Sequence, residues 1–327
     1  MSRDSLPSHH RPGGGFRNPW VADAVPGFGS LLKWMLVHRT TRPRPKDPDA
    51  SIFARVHPTF ISPRAPASKL TVTWVGHSSL LIQLDGVNVL TDPIWSERAS
   101  PAQFAGPRRW VAPGIAFDDL PPLDVVLQSH NHYDHLDAAT VGRLTRAHPQ
   151  AVWVLPLGLA SFVERRGGSQ VMELDWWQER TIASLRIAAT PALHFSSRSI
   201  GDRGDTLWCG FALAGSHRVF FAGDTGFHPE FGTIGERYGP FDVALMPIGA
   251  YEPRWFMRYL HMNPEEAVEA FRALKAGVMV PIHWGTFKLT DEAMDEPPVR
   301  ARAAWKAAGL APAGYRQLAH GETLVLD

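Results

Sequence analysis

Cysteine is nearly missing from this sequence: Cys209 is the single one among 327 residues. An intramolecular disulfide framework is therefore excluded. The lone thiol, beside Trp208 and Phe211, reads as a buried core group compatible with a reducing compartment. Long apolar runs are missing too, since no stretch approaches the roughly 18 residues that a membrane-spanning helix needs. Residues 1–20, with Pro12 and the Gly13-Gly14-Gly15 run, contain no apolar segment of the kind that drives export. The expectation is a soluble cytoplasmic chain whose only membrane contact is peripheral, at the inner face. An excess of one charge sign is lacking as well. Basic and acidic residues number 33 and 32, so no global field favours nucleic acid, and an anionic substrate has to be recognised locally.

Apolar residues, at 44% with 12 tryptophans, are ample for a sizeable core. Residues 1–66 form an extension rich in Pro, Arg, Gly and Ser, in which Arg42-Pro43-Arg44-Pro45 cannot continue a helix. Within it Phe28, Leu31, Leu32, Met35 and Leu36 follow a helical stripe, with Lys33, His38 and Arg39 available to the other side. A short amphipathic helix is expected there, packed on the protein's own core or against a membrane or partner. From residue 67 to 327 the pattern becomes that of one α/β domain. Strand-like runs fall at 70–75, 79–84, 87–90, 125–127, 152–155, 182–188, 219–222, 243–245 and 278–280, with Asp85-Gly86 as a hairpin turn. Helix signals lie between them: Asp137 capping 138–144, and Asn263 capping 264–274 with Pro264 at the first helical position.

The segment His130-Asn131-His132-Tyr133-Asp134-His135 follows the apolar strand 125–127. Three imidazoles and a carboxylate within one turn suit zinc, which takes nitrogen and oxygen donors at low coordination number. Without a metal, four ionisable groups would crowd one turn with nothing to satisfy them. Further donors stand where other apolar runs stop: His194 after 187–193, Asp224 after 219–223, and His283 after 278–282. Strand ends hold ligands more rigidly than loops do. Taken singly, each of these three also reads as an ordinary turn or surface residue.

The ordered set of HxHxDH, then His, then Gly-Asp-Thr, then His resembles the metallo-β-lactamase superfamily. That resemblance implies an αββα sandwich carrying two zinc ions. His130, His132 and His194 hold one ion, Asp134, His135 and His283 hold the other, and Asp224 bridges them. Several segments are also similar to the N-acylphosphatidylethanolamine-hydrolysing phospholipase D family. They include Phe16-Arg17-Asn18-Pro19-Trp20, Trp74-Val75-Gly76-His77, Leu90-Thr91-Asp92-Pro93-Ile94, Arg98-Ala99-Ser100-Pro101, and the run 248–257 followed by His261 and 282–287. The implied activity is zinc-dependent hydrolysis of N-acylphosphatidylethanolamine-like phospholipids to N-acylethanolamine and phosphatidate, by a hydroxide shared between the ions. Asp134, Asp224 and His261 are the expected catalytic residues. The alternative is a cytosolic metallo-hydrolase of a small phosphorylated lactone or soluble phosphodiester. The partner is a phospholipid or other phosphodiester, and a homodimer is left open.

Neighbouring residues are ambiguous. Asp92 reads equally as a partner of a ligating histidine or as a turn residue, and His77 as a group near the metals or one satisfied in the core. His261 is expected on a loop over the site, titrating near neutrality, with Arg254 and Arg258 able to attract a phosphate. Trp255 and Phe256 are expected to line an acyl-chain groove or to pack in the core. His9, His10, His148, His217 and His320 read as solvated.

Overall fold

The computed structural model describes residues 6–21, 27–41, 44–199 and 201–327. The side chains of Phe28, His38 and Arg39, like Arg42 and Pro43, lie outside the described residues. Among the described residues thirteen strands build two mixed sheets. In the first run β1 (Leu70–Gly76), β2 (Ser79–Leu84), β3 (Val87–Thr91), β4 (Val125–Leu127), β5 (Val152–Pro156) and β6 (Val171–Leu174), with β13 (Thr323–Leu326) paired outside β1. The second holds β7 (Glu179–Ile182), β8 (Leu185–Thr190), β9 (Gly210–Ala214), β10 (Arg218–Phe221), β11 (Val243–Pro247) and β12 (Val278–Ile282). The tight hairpin between β2 and β3 turns on Asp85 and Gly86, both at positive φ (52° and 75°), the geometry a two-residue loop between twisted strands requires.

Alternation along the strands explains the layering. Val125 and Leu127 of β4 join the core between the sheets, which includes Val72, Trp74, Phe211, Phe221 and Leu245. Val126 points the other way, into a second cluster with Val141 and Leu144 of α2 (Ala138–Ala147), counting the N-terminal helix Phe28–Lys33 as α1. Strands β1 to β3 are covered on both faces and buried throughout, and polar residues among them pair with one another: Thr71 Oγ1 donates to Gln83 Oε1 (2.9 Å) and Gln83 Nε2 to Asn88 Oδ1 (2.9 Å). Helices Glu230–Tyr238 and Pro264–Ala273 pack beyond the second sheet, so the order of layers is α, β, β, α. The second of these carries the anticipated cap: Asn263 accepts from the Glu266 amide while Glu266 accepts from the Asn263 amide.

One expected strand is divided. The sequence pattern predicts a single run over 182–188, but Ala183 lies at φ 51° and the chain reverses there, separating β7 from β8 as an antiparallel pair. The register of the second sheet sets Thr190 opposite Gly210, Phe221 opposite Phe211, Leu245 beside Phe221 and Ile282 beside Pro247. The C-terminal ends of β8, β10, β11 and β12 therefore meet at one edge. The expected donors stand just past three of them.

The N-terminal extension packs directly on this body. Phe16 enters the main core, and Asn18 donates to the backbone carbonyl of His194 at 2.7 Å. The helical stripe is split by a π-helical turn at Trp34–His38 that shifts the register after α1. Leu31 and Trp34 face Phe256, Met257 and Leu260, while Leu32, Met35, Leu36 and Val37 remain exposed.

Candidate metal centre

The loop leaving β4 is pinned by one buried carboxylate. Asp92, at the end of β3 with φ 31°, accepts from the Ser129 amide (2.6 Å) and hydroxyl (2.5 Å), and from Gln128 Nε2 (3.1 Å). It also accepts from His135 Nδ1 at 2.7 Å. That bond fixes the His135 tautomer and aims Nε2 at Asp224 Oδ2 (3.0 Å) and Asp134 Oδ2 (3.3 Å). Of the two roles considered for Asp92, the geometry matches the partner of a cluster histidine.

All seven expected donors converge. His130 Nε2 and His194 Nε2 approach His132 Nδ1 at 2.9 and 3.1 Å. His283 Nε2 lies 3.1 Å from Asp224 Oδ2 and 3.5 Å from Asp134 Oδ2. Asp224 Oδ2 stands between the two groups, 3.8 Å from His130 and 3.9 Å from His194. Gly223 permits this placement. It sits at φ 60°, and a Cβ there would come within 2.7 Å of the Ser129 side chain. The His194 loop is tied to the Asp224 loop by the Leu193 amide on Thr225 Oγ1 (2.9 Å) and the Gly226 amide on the Leu193 carbonyl (2.8 Å).

This donor set fits metal ions. His194 spends its Nδ1–H on the Leu260 carbonyl (2.8 Å), so its Nε2 presents a lone pair to His132. Burial pushes His132 down to about 3 and His194 to about 4, leaving neutral imidazoles of the kind that ligate. In the other group burial acts in the same direction but is outweighed. Asp224 and Asp134 hold His283 up at about 9 and His135 well above the usual range, so protons would have to stand where a cation neutralises the same carboxylates. Burial would raise Asp224, yet His135, His283 and His261 hold it well below the ordinary carboxylate range. Asp224 Oδ1, His135 Nε2 and His283 Nε2 are buried with no hydrogen-bond partner among the described residues.

His261 stands beside this cluster, its Nδ1 without a hydrogen-bond partner among the described residues and 3.9 Å from Asp224 Oδ2. Titration near neutrality is corrected: burial, with His194 and His283 close by, drives its pKa well below the ordinary value, so the ring is neutral. The arginines are also corrected. Arg254 is committed to both Glu266 oxygens (2.8 and 2.9 Å) and to the His261 carbonyl (2.9 Å), and Arg258 lies over the Tyr259 ring. An apolar cleft of about 710 Å³ opens from His132 and His261 between Leu31, Trp34, Phe195, Phe256 and Met257. Phe256 lines it, Trp255 does not, and Arg203 is a cation on its wall. His9 and His320 are buried rather than solvated: His9 donates to Asp175, and His320 packs on Trp74.

Two supporting residues were not among the expected site residues. Arg198 Nη1 donates to the carbonyls of Asn131 and Leu136, both at 2.7 Å, and its guanidinium covers Tyr133 at 4.0 Å, clamping the donor loop from outside. Asn18, 176 residues away, holds the His194 backbone. No local pattern relates either residue to the loop it supports.

Two facing sheets, helices outside them and a histidine–aspartate cluster at a shared edge define a protein of the metallo-β-lactamase fold. Residues 87–284 match the family model described as β-lactamase superfamily domain. The chain is 41% identical over 287 residues to N-acyl-phosphatidylethanolamine-hydrolyzing phospholipase D 1 of Caenorhabditis elegans, covering 83% of this chain and 80% of that protein. It is 36% identical over 233 residues to the mitochondrial N-acyl-phosphatidylethanolamine-hydrolyzing phospholipase D of Saccharomyces cerevisiae, covering 69% of this chain and 49% of the yeast protein. Among solved structures it resembles Igni18, a metallo hydrolase of Ignicoccus hospitalis, with a TM-score of 0.60 and 26% identity over 79% of this chain and 99% of the other. The chain belongs to the β-lactamase superfamily.

Proposed function

We propose that the protein is a metal-dependent phosphodiesterase of phospholipase D type, acting on N-acylphosphatidylethanolamine-like lipids. Its metal would be two zinc ions, one held by His130, His132 and His194, the other by Asp134, His135 and His283, with Asp224 shared. The observation that carries this reading is continuity: His132 and His261 belong both to the polar cluster and to the apolar cleft, so a charged reaction centre opens onto an acyl-sized groove. The groove speaks against the soluble-substrate alternative. When bound, such ions supply Lewis acidity, lowering the pKa of water and neutralising phosphoryl charge.

The chain's own groups do the rest. Asp224 and Asp134 stay ionised and provide the anionic charge that would hold the cations together. Asp92 and the Leu260 carbonyl fix the tautomers of His135 and His194, so that lone pairs face the centre. Neutral His261 offers one hydrogen bond at the mouth of the cleft, to a phosphoryl oxygen or to the ethanolamine oxygen as it leaves. Water adds to phosphorus, the P–O bond to the N-acylethanolamine breaks, and phosphatidate is the second product.

In this reading residues 67–327 are the hydrolase domain, and the 1–66 extension supplies a wall of its cleft. No helix among the described residues is long and apolar enough to cross a membrane. The protein would work at the cytoplasmic face, with Leu32, Met35, Leu36 and Val37 as a peripheral apolar contact.

Matched N-acylated diesters of increasing chain length, presented below and above micelle formation, test the assignment. Rates should rise with chain length below the micellar threshold, because each buried methylene contributes roughly 0.8 kcal/mol. A flat profile, or faster turnover of a soluble diester or phospholactone, would replace this reading with the alternative.

A further inference from the structure

His77 occupies a backbone position that an imidazole side chain does not itself favour. It lies at φ 54°, in the left-handed region, directly after Gly76 at φ 138°, where the β1–β2 pairing shifts register. Such a conformation persists only where its surroundings over-determine it, and here they do. The His77 amide donates to Thr286 Oγ1 (2.8 Å), and its carbonyl accepts from Trp74 Nε1 (3.0 Å) and from the amide of His283 (3.1 Å). The backbone of one expected ligand therefore hangs on the backbone of His77.

The side chain points the same way. It is buried, and Nε2 lies 2.9 Å from Asp134 Oδ2, the oxygen that also faces His135 and His283. Nδ1 is buried without a partner among the described residues, so a ring with a single proton carries it on Nε2 and donates it to Asp134. The ring lies over His283 at 4.0 Å with a 40° tilt, and the edge of Phe287 closes its far side at 5.3 Å. Asp224 Oδ2 stands within 3.9 Å of His130, His135, His194, His261 and His283, and His77 is not among them.

From this juxtaposition we infer that His77 is a positioning residue for the second half of the centre. Its Nε2–H orients the Asp134 carboxylate and its ring braces His283, without itself binding metal. The inference rests on the two-metal reading above. Its nearest rival is that His77 is a further ligand, since its donor atom lies within 4.8 Å of those of Asp134, His135 and His283.

The test is zinc affinity, measured by competition with a chelator on wild type, His77→Phe and His77→Gln. The glutamine amide reaches about as far as Nε2 and donates, but is not an imidazole. His77→Phe should hold the first ion as wild type does and the second about 10- to 100-fold more weakly, whereas His77→Gln should return to within a few-fold of wild type. Equal affinity in wild type and His77→Phe would overturn the inference. Equal loss in both variants would overturn it in favour of direct ligation. Nitrogen-15 histidine spectra of the zinc-loaded wild type provide a measurement independent of any variant's folding: a one-bond N–H coupling at His77 Nε2 supports donation, and a bare nitrogen there overturns it. Wild type that takes up no second ion defeats the two-metal reading and this inference together, whereas the variant outcomes defeat this inference alone.

Discussion

Asp224 and Asp92 are both buried carboxylates at strand ends, and their different surroundings give them different work. Asp92 is saturated by the Ser129 amide and hydroxyl, Gln128 and His135, whereas Asp224 Oδ1 has no partner among the described residues and Oδ2 faces five imidazoles. Asp224→Ala should lose the dinuclear arrangement, with elemental analysis falling from two ions per chain, because two cations would be left close together without their common anion. One ion per chain in the fully loaded, active wild type would sink that expectation. Asp92→Asn keeps the volume but weakens the pull on His135 Nδ1–H, so metal affinity should fall about 10- to 100-fold with the fold retained. Affinity unchanged within error would return Asp92 to a turn residue. His261 is held neutral by burial, and its Nδ1 has no hydrogen-bond partner among the described residues. His261→Ala should keep both ions and lower turnover by about 10²-fold, and unchanged kinetics would leave it without a part in the reaction.

At the level of elements, what could be read from the chain was what repeats locally. The β2–β3 hairpin announces itself in Asp85-Gly86, helix Pro264–Ala273 in its cap, and the donor loop in six consecutive residues. The donors His194, Asp224 and His283 each follow an apolar run that stops, a weak signal singly, and became legible through their order after the donor loop, which resembles that of the metallo-β-lactamase superfamily. The division at Ala183 was not, since Ile182, Leu185 and Ile187 keep the look of one strand whether or not the chain reverses between them, and Ala183-Ser184 lacks the Gly or Asn that marks a tight turn. Nor were the supports that cross the chain. Arg198 looks like any loop arginine, yet it bonds both ends of the 131–136 segment. Removing it leaves two carbonyls without their charged donor and Tyr133 without its cover. Arg198→Ala should therefore loosen the donor loop, seen as faster hydrogen exchange confined to 130–137 and a drop of about 2 kcal/mol in stability. Uniform protection across that loop in the variant would show that the clamp carries no weight. The extension teaches the same lesson. Its apolar stripe was visible, but the π turn at Trp34–His38 that turns Trp34 inward and leaves Leu36 exposed was not.

For the molecule as a whole, the acid limb of stability should be set by histidines that have nothing to do with catalysis. His228 is stacked between Trp20 (4.8 Å) and Phe231 (4.1 Å), and both of its ring nitrogens are buried without partners among the described residues. His320 packs on Trp74 at 4.2 Å and meets Thr286. Burial pushes each of them to about 3, below the ordinary 6.5. The unfolded chain, with ordinary histidines, thus binds more protons than the native one between those two values, so stability rises with pH across that window and is lost as pH falls from about 6.5 towards 3. Above the window the contribution is complete. Each histidine should add roughly one proton taken up on unfolding near pH 4.5, which denaturant melts at closely spaced pH values measure as a slope. The charged cluster at the centre cannot be used to isolate this effect, because metal binding changes its protons. His228 can, since a phenyl ring preserves both stacking contacts and loses no hydrogen bond. His228→Phe should therefore leave stability at pH 8 within about 1 kcal/mol of wild type and reduce the acid slope by nearly one proton. If the slopes of wild type and variant coincide from pH 6 to pH 4, His228 is protonated in the folded protein, and its two unpartnered nitrogens must then be reached by water.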